Sequence, residues 1–175
     1  MAHTVTHVHM TAADQLNPSP TVPDLRLESI PGTSPLIPET LSRVGAAYGW
    51  KSARRTEADW AVWLSESARR YSLIMLGTDV AGIVVWELHP GDEVEIKSFG
   101  LLPEWIGKGL GGFALTLAIQ NAWDLQPGVT RVWLHTSSKD HPGALPNYLR
   151  RGFSRFSERT DPDPGPDHTA LSSTT

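Results

Sequence analysis

The order of periodic segments predicts an α/β domain built on a mixed sheet with helices on both faces. Three observations carry that reading. Strand-like and helix-like segments interleave in the order β-α-α-β-β-β-α-β-α-β. A glycine-rich turn, residues 104–112, joins an apolar strand run at 94–102 to a helical run at 113–125. A hydrophobic content of 39% with seven tryptophans in 175 residues is ample for one core.

The elements follow in chain order. Residues 24–30 alternate polar and apolar and read as a first strand. Pro38 and Glu39 open a helix to about Tyr48, with Gly49 near its end. Thr56-Glu57-Ala58-Asp59 is a capping sequence for a second helix, expected to reach Arg70. Trp60, Trp63, Leu64 and Ser67 share one face of it, the tryptophans as core or lid packing or as direct substrate contacts. Residues 71–76 and 80–88 are strands joined at Gly77-Thr78-Asp79, a hairpin signal. His89-Pro90-Gly91-Asp92 turns into the strand at 94–102. The helix at 113–125 is apolar nearly all round, so both its sides should be covered. Residues 129–136 form a further strand, 143–151 a short helix and 153–157 a last strand. There is no internal repeat.

Outside this stretch the composition changes. Residues 1–22 are polar and irregular, and are expected to be a flexible tail. His3, His7 and His9 are too loosely spaced to make a metal site, and no metal is expected. The run Asn17-Pro18-Ser19-Pro20 breaks the chain before the fold. Prolines 162, 164 and 166 sit at alternate positions, and 159–175 are expected to be a second flexible tail. The domain is placed at 23–158.

Composition excludes several function classes. The net charge of -4 does not recommend nucleic acid as a partner. There are no cysteines, hence no disulfide, thiolate metal site or cysteine nucleophile. No 18-residue apolar run exists, so no membrane span is expected. No basic-then-apolar leader opens the chain, and a cytoplasmic location is the default.

The glycine turn carries the chemistry. Strand, glycine-rich turn and helix together aim backbone N–H groups at phosphate. The glycines allow close approach, and the helix N-terminus adds partial positive charge. Lys108 adds a full charge. The other reading is a tight connection with packing glycines. Gly107-x-Gly109-x-x-Gly112 formally matches the dinucleotide fingerprint, but it comes past mid-chain, and positions 132 and 133 are Val and Trp where the ribose acid belongs. A Walker motif is excluded because Gly109 follows Lys108. Kinase catalytic loops are lacking downstream.

The turn resembles the acetyl-CoA loop of the GCN5-related N-acetyltransferases, Gln/Arg-x-x-Gly-x-Gly/Ala. Residues 106–111, Ile-Gly-Lys-Gly-Leu-Gly, occupy its six positions, with Ile106 departing from the opening Gln/Arg. Tyr148-Leu149-Arg150-Arg151-Gly152-Phe153 is similar to the family's second signature, Tyr-x-x-x-Gly-Phe. The resemblance covers about residues 24–158. It implies a mostly antiparallel sheet in which two neighbouring parallel strands, 94–102 and 129–136, splay apart around the acetyl-CoA arm. Phe99, Gly100 and Leu101 would then meet the pantetheine through their backbones. Gly107, Lys108, Gly109, Leu110, Gly111 and Gly112 would hold the pyrophosphate. His141 matches a position that touches the cofactor in many members; capping the short helix is its other reading.

Acetyl transfer to an amine needs a base for the amine, a donor for the developing oxyanion and a proton for the departing thiolate. Tyr148 holds the family's tyrosine slot and is the candidate acid; packing on the cofactor is the alternative. Glu95, on the strand entering the loop, stands at the offset of the family's base glutamate. Desolvation would raise its pKa usefully, while Lys97 two residues on would oppose that. Pairing with Lys97 as a surface charge is its other reading. His135, on the second splayed strand, is the reserve base or a structural histidine. Glu87 is a weaker candidate for orienting the amine. The resemblance therefore implies an N-acetyltransferase using acetyl-CoA on a primary amine, small molecule or protein, by direct attack. The other class is a non-catalytic acyl-CoA-binding module. A homodimer is an open option.

Overall fold

The computed structural model describes residues 2–161. Its seven strands form one sheet in the order β2-β3-β4-β5-β6-β1-β7. They are β1 (His3–Met10), β2 (Leu25–Ile30), β3 (Arg69–Leu76), β4 (Asp79–His89), β5 (Glu93–Leu101), β6 (Arg131–Ser137) and β7 (Ser154–Asp161). Four α-helices accompany them: α1 (Leu36–Gly45), α2 (Glu57–Leu64), α3 (Gly111–Trp123) and α4 (Ala144–Arg150). All neighbouring strands pair antiparallel except β5 and β6. No helix among the described residues is long and apolar enough to cross a membrane.

Helices cover both faces, as the interleaved order predicts. On one face Ile37, Leu41 and Val44 of α1 and Trp60 of α2 pack on Leu73, Ile83 and Val85. On the other, Ala114, Leu115, Ala118 and Ile119 of α3 and Tyr148 of α4 pack on Val84, Trp86, Val94, Ile96, Val132 and Leu134. The sheet is covered on both sides at β4, whose centre reads as a near-continuous apolar run, whereas β5 and β6 carry polar residues among their buried positions.

Two expectations are corrected. The first concerns residues 1–22. His3–Met10 is not a tail but an inner strand, antiparallel to β6 on one side and β7 on the other. Val8 and Met10 are fully buried beside α3, and Val5 is buried too. The alternating, β-branched run Thr4-Val5-Thr6-His7-Val8 fits a pleated surface, and long-range pairing outweighs its polarity. The segment that follows is also tied down. Asn17 N–H donates to Arg151 O at 2.8 Å, Asn17 Nδ2 to Arg150 O at 2.8 Å and Ser19 N–H to Thr116 Oγ1 at 3.0 Å. At the other end, residues 159–161 belong to β7; the rest of the expected tail lies outside the described residues.

The second correction is the end of α2. The capping box at Thr56 and Asp59 forms, but the helix stops at Leu64 rather than Arg70. Arg69 and Arg70 are instead strand residues opposite Glu87 and Trp86.

The parallel pair positions the site. β5 and β6 pair only from Glu93–Arg131 to Glu95–Trp133 and then part. In the same place β5 carries a bulge. Val85 stands opposite Ser98 but Trp86 stands opposite Ile96, so Lys97 has no opposite number on β4. Such a bulge bends its strand and re-aims the residues around it.

Candidate active site

A cavity of about 420 Å³ opens where β5 and β6 part. Of the residues singled out from sequence, Phe99, Gly100, Leu101, Gly107, Gly109, Leu110, Gly111, Gly112, His135, His141 and Tyr148 all line it. Lys108 is exposed and off the wall; its glycine neighbours, not its ammonium, face the cavity. Glu95 is off the wall as well. It is 2% exposed, and it is linked to the wall through His135, whose Nε2 lies 3.9 Å from Glu95 Oε2.

The loop explains its own composition. Gly107 and Gly109 both have φ of +77°, a conformation that disfavours any side chain. A Cβ at either would meet nothing within 4 Å, so these glycines serve the turn's shape. The result is a row of unused donors. No backbone N–H from Gly107 to Phe113 has an acceptor among the described residues. The last three open α3, whose thirteen residues add the positive end of a helix dipole. Arg151 lies beside this row. Its Nη1 would be 3.0 Å from a Cβ on Gly112, and its buried Nε has no partner. Free amides, a helix N-terminus and an unpaired guanidinium together fit a phosphate-bearing ligand.

The wall at the parted strands is closely set. Gly100 is required there, because a Cβ would lie 2.4 Å from Val44 Cγ1. Tyr148, in α4, is 6% exposed and packs edge-on against Phe153 at 6.2 Å. Burial pushes its phenol well above the usual range, which keeps the proton on its oxygen. His135 is 7% exposed and stacks on His7, ring centroids 4.9 Å apart. Burial first, then the charges of His7, Lys97 and Arg159, lower its pKa to about 3, so the imidazole is neutral. Burial raises the Glu95 carboxyl, against the pull of Lys97 and a hydrogen bond with His89. His141 does both things foreseen for it: Nδ1 accepts from Gly143 N–H at 2.9 Å ahead of α4, and the residue lines the cavity.

Other residues of the wall carry no motif in sequence. Trp50 comes from the α1–α2 connection and Asp140 from the β6–α4 loop; the two are hydrogen-bonded. Asn147 Nδ2 donates to Gly111 O at 3.1 Å and ties α4 to the loop. Ser19 reaches the wall from the strap after β1. Arg151 falls at an open position of the Tyr-x-x-x-Gly-Phe signature, just before Gly152. That glycine has φ of +108°, and a Cβ would lie 2.0 Å from Gln15 O, so the N-terminal strap fixes the residue type.

Glu87, His89 and Glu95 also gather. Their ligand atoms lie within 4.8 Å of one another, close enough for a metal ion. The charges are already met within the protein: Arg69 Nε donates to Glu87 at 2.8 Å, and Lys97 acts on Glu95. The cluster is therefore complete as an ion-pair network.

The comparisons agree with this architecture. The model of the acetyltransferase (GNAT) family matches residues 38–153. A GCN5-related N-acetyltransferase from Kribbella flavida superposes with a TM-score of 0.63 at 21% identity, over 93% of this chain and 58% of that one. A second, from Sphaerobacter thermophilus, gives 0.63 at 16%, over 90% and 50%. A tandem GNAT protein from the clavulanic acid biosynthesis pathway gives 0.58 at 17%, over 90% and 53%. The chain thus spans between half and three-fifths of the length of these structures, and at such identities the likeness is one of fold. No curated protein matches the chain.

Proposed function

The chain belongs to the GNAT family of acetyltransferases, and on that premise we propose that it moves an acetyl group from acetyl-CoA to a primary amine by direct attack in a ternary complex. The observation that carries this reading is the row of unused N–H groups from Gly107 to Phe113, leading to a cavity walled by Tyr148 and His135. Acetyl-CoA supplies the activated thioester. The chain does the rest. The amides of the loop and the Arg151 guanidinium meet the pyrophosphate charge. Phe99, Gly100 and Leu101 offer backbone groups along the parted strand.

Tyr148 keeps its proton at neutral pH and can give it to a departing thiolate. Of the two base candidates, His135 faces the cavity and Glu95 does not, which supports His135 as the group that takes the amine's proton. Its ring is neutral and held flat against His7, so a lone pair is free to accept. Glu95 stands behind it, with Oε2 3.9 Å from His135 Nε2.

Calorimetry with acetyl-CoA, NADH and ATP tests the ligand; binding of acetyl-CoA alone is expected. An amine panel read by CoA release and product mass tests the transfer. Binding without release for any amine would overturn the transferase reading.

A further inference from the structure

Glu95 has a feature that the transfer reaction alone does not use. Its two carboxylate oxygens face two different imidazoles. Oε2 is 3.9 Å from Nε2 of His135, on the cavity wall, and Oε1 is 2.9 Å from Nε2 of His89, whose side chain is 30% exposed. A carboxylate that is itself almost wholly buried thus joins a ring at the cavity to a ring at the surface. On the acyl-transfer reading above, we propose that His135, Glu95 and His89 form a proton outlet, carrying the acceptor amine's proton from the cavity to solvent.

The chemistry favours such a route. Each turnover leaves one proton in a cavity lined largely by apolar groups. A buried imidazolium is costly there, so His135 turns over faster if its proton is drawn off. The steps balance with N–H and O–H bonds alone. His135 takes the ammonium proton on Nδ1, the ring nitrogen not facing Glu95, and the amine is left neutral to attack. A ring shift of about 1 Å brings the Nε2–H of the imidazolium within hydrogen-bond range of Glu95 Oε2. Oε2 takes that proton as Oε1 of the carboxylic acid gives its own to the Nε2 lone pair of His89, the His89 imidazolium releases its Nδ1 proton to water, and tautomer exchange through water resets both rings. Nothing is oxidised or reduced.

The surroundings hold the rings in place. His135 stacks on His7 of β1, and His89 lies 5.2 Å from the Trp133 ring of β6. His89 Nε2 is also 3.2 Å from Glu87 Oε2, and Glu87 is fixed by Arg69 of β3. Lys97 of β5 and Arg159 of β7 add positive charge near His135. Beside His89, Arg131 pairs with Glu93 at 3.1 Å and donates to His9 Nδ1 at 3.0 Å. His89 touches no substrate; it acts through Glu95 and is a positioning residue.

The first test does not depend on turnover. Imidazole NMR titrations of the whole protein are expected to show His89 and His135 coupled, and both curves to move in Glu95→Gln. Independent single-step curves, unchanged in that variant, would overturn the outlet. If Glu95→Gln does not fold, the wild-type curves decide by the same criterion. The second test is kinetic. His89→Ala should lower kcat at least about tenfold, below the 10²–10⁴ span of direct acid–base help, with KM for acetyl-CoA unchanged. Added imidazole should restore the rate. A full rate without imidazole, or a loss that imidazole leaves untouched, would overturn it. Active transfer with uncoupled rings removes the outlet alone; absence of transfer with every amine removes both readings.

Discussion

The indole N–H of Trp50 donates to Asp140 Oδ1 at 3.0 Å, joining the α1–α2 connection to the β6–α4 loop at the cavity wall. The same carboxylate accepts from Thr136 Oγ1 at 2.7 Å and Ser137 N–H at 2.9 Å, so it is held from β6 as well. Trp50 is itself wedged: a Cβ on Gly45 would lie 2.5 Å from Trp50 Cβ. Trp50→Phe keeps most of the packing and removes the donor. A hydrogen bond to a charged group contributes about 2 kcal/mol, or roughly 4–8 °C in a domain of this size. A melting temperature lowered by that amount, with weaker acetyl-CoA binding by calorimetry, is expected. An unchanged melting temperature would show that the clamp is slack.

The inner position of β1 yields a second prediction. Removing residues 2–10 leaves β6 and β7 without their shared partner and uncovers Val8 and Met10 contacts in the core. The shortened protein should fail to fold, as judged by loss of a cooperative thermal transition. The single change Val8→Asp should do nearly as much, since it buries an unpaired charge beside α3. A normal melting temperature for the shortened protein would place the strand outside the folding unit.

This strand also marks the limit of what the sequence discloses. The elements from 25 to 157 are legible because each carries its own period or cap, such as the Thr56–Asp59 box or the hairpin at Gly77. β1 is three histidines, two threonines, two valines and a methionine, and its burial depends on partners more than 120 residues away. The end of α2 is hidden for the same reason: Arg69 and Arg70 are claimed by pairing with β4, which no local pattern announces. At the site, the glycine loop and Tyr148 are legible because a backbone conformation and a motif require them. That Glu95 sits off the cavity wall is not, because it depends on the bulge at Lys97 and the point where β5 leaves β6. Trp50 and Asp140 meet only in the folded chain.

His135 sets an acid limit on stability. Its pKa falls from 6.5 in the ordinary state to about 3 in the fold, mainly through burial. A lowered pKa means that the unfolded chain binds the proton more tightly. The folded state is therefore unpenalised above pH 6.5 and loses stability as pH drops from 6.5 towards 3. Melting temperature should decline across that window in the wild type and decline less steeply in His135→Gln. Parallel profiles for the two proteins would show that His135 charges freely in the fold.

Gly109→Glu tests the cradle directly. A Cβ at Gly109 meets nothing within 4 Å, and the residue lines the cavity, so a side chain there has open space beside the cradle. The φ of +77° costs about 1 kcal/mol for a residue with a side chain, a loss the domain should survive. The carboxylate then adds a negative charge to the loop whose amides have no acceptor among the described residues. Acetyl-CoA binding should disappear by calorimetry while the thermal transition persists. Gly109→Ala carries the same backbone cost without the charge and should retain weakened binding. Equal affinities in the glutamate variant and the wild type would remove phosphate from the loop.

On the proposed reading Tyr148 and His135 divide the proton work, so their variants should fail in different ways. Tyr148→Phe keeps the ring against Phe153 and loses only the hydroxyl. Binding of acetyl-CoA should stay near normal while kcat falls on the order of 10²-fold, the scale of acid help. Raising the pH should not rescue it, because the missing proton is the one owed to the thiolate. His135→Gln cannot take a proton from the ammonium. Its rate should recover as pH rises and more of the amine arrives already neutral. The two effects concern successive proton transfers in one turnover, so the double variant should combine both losses and still respond to pH. If Tyr148→Phe recovers with pH and His135→Gln does not, the two roles are exchanged. If neither rate changes, the proton transfers take place elsewhere in the cavity.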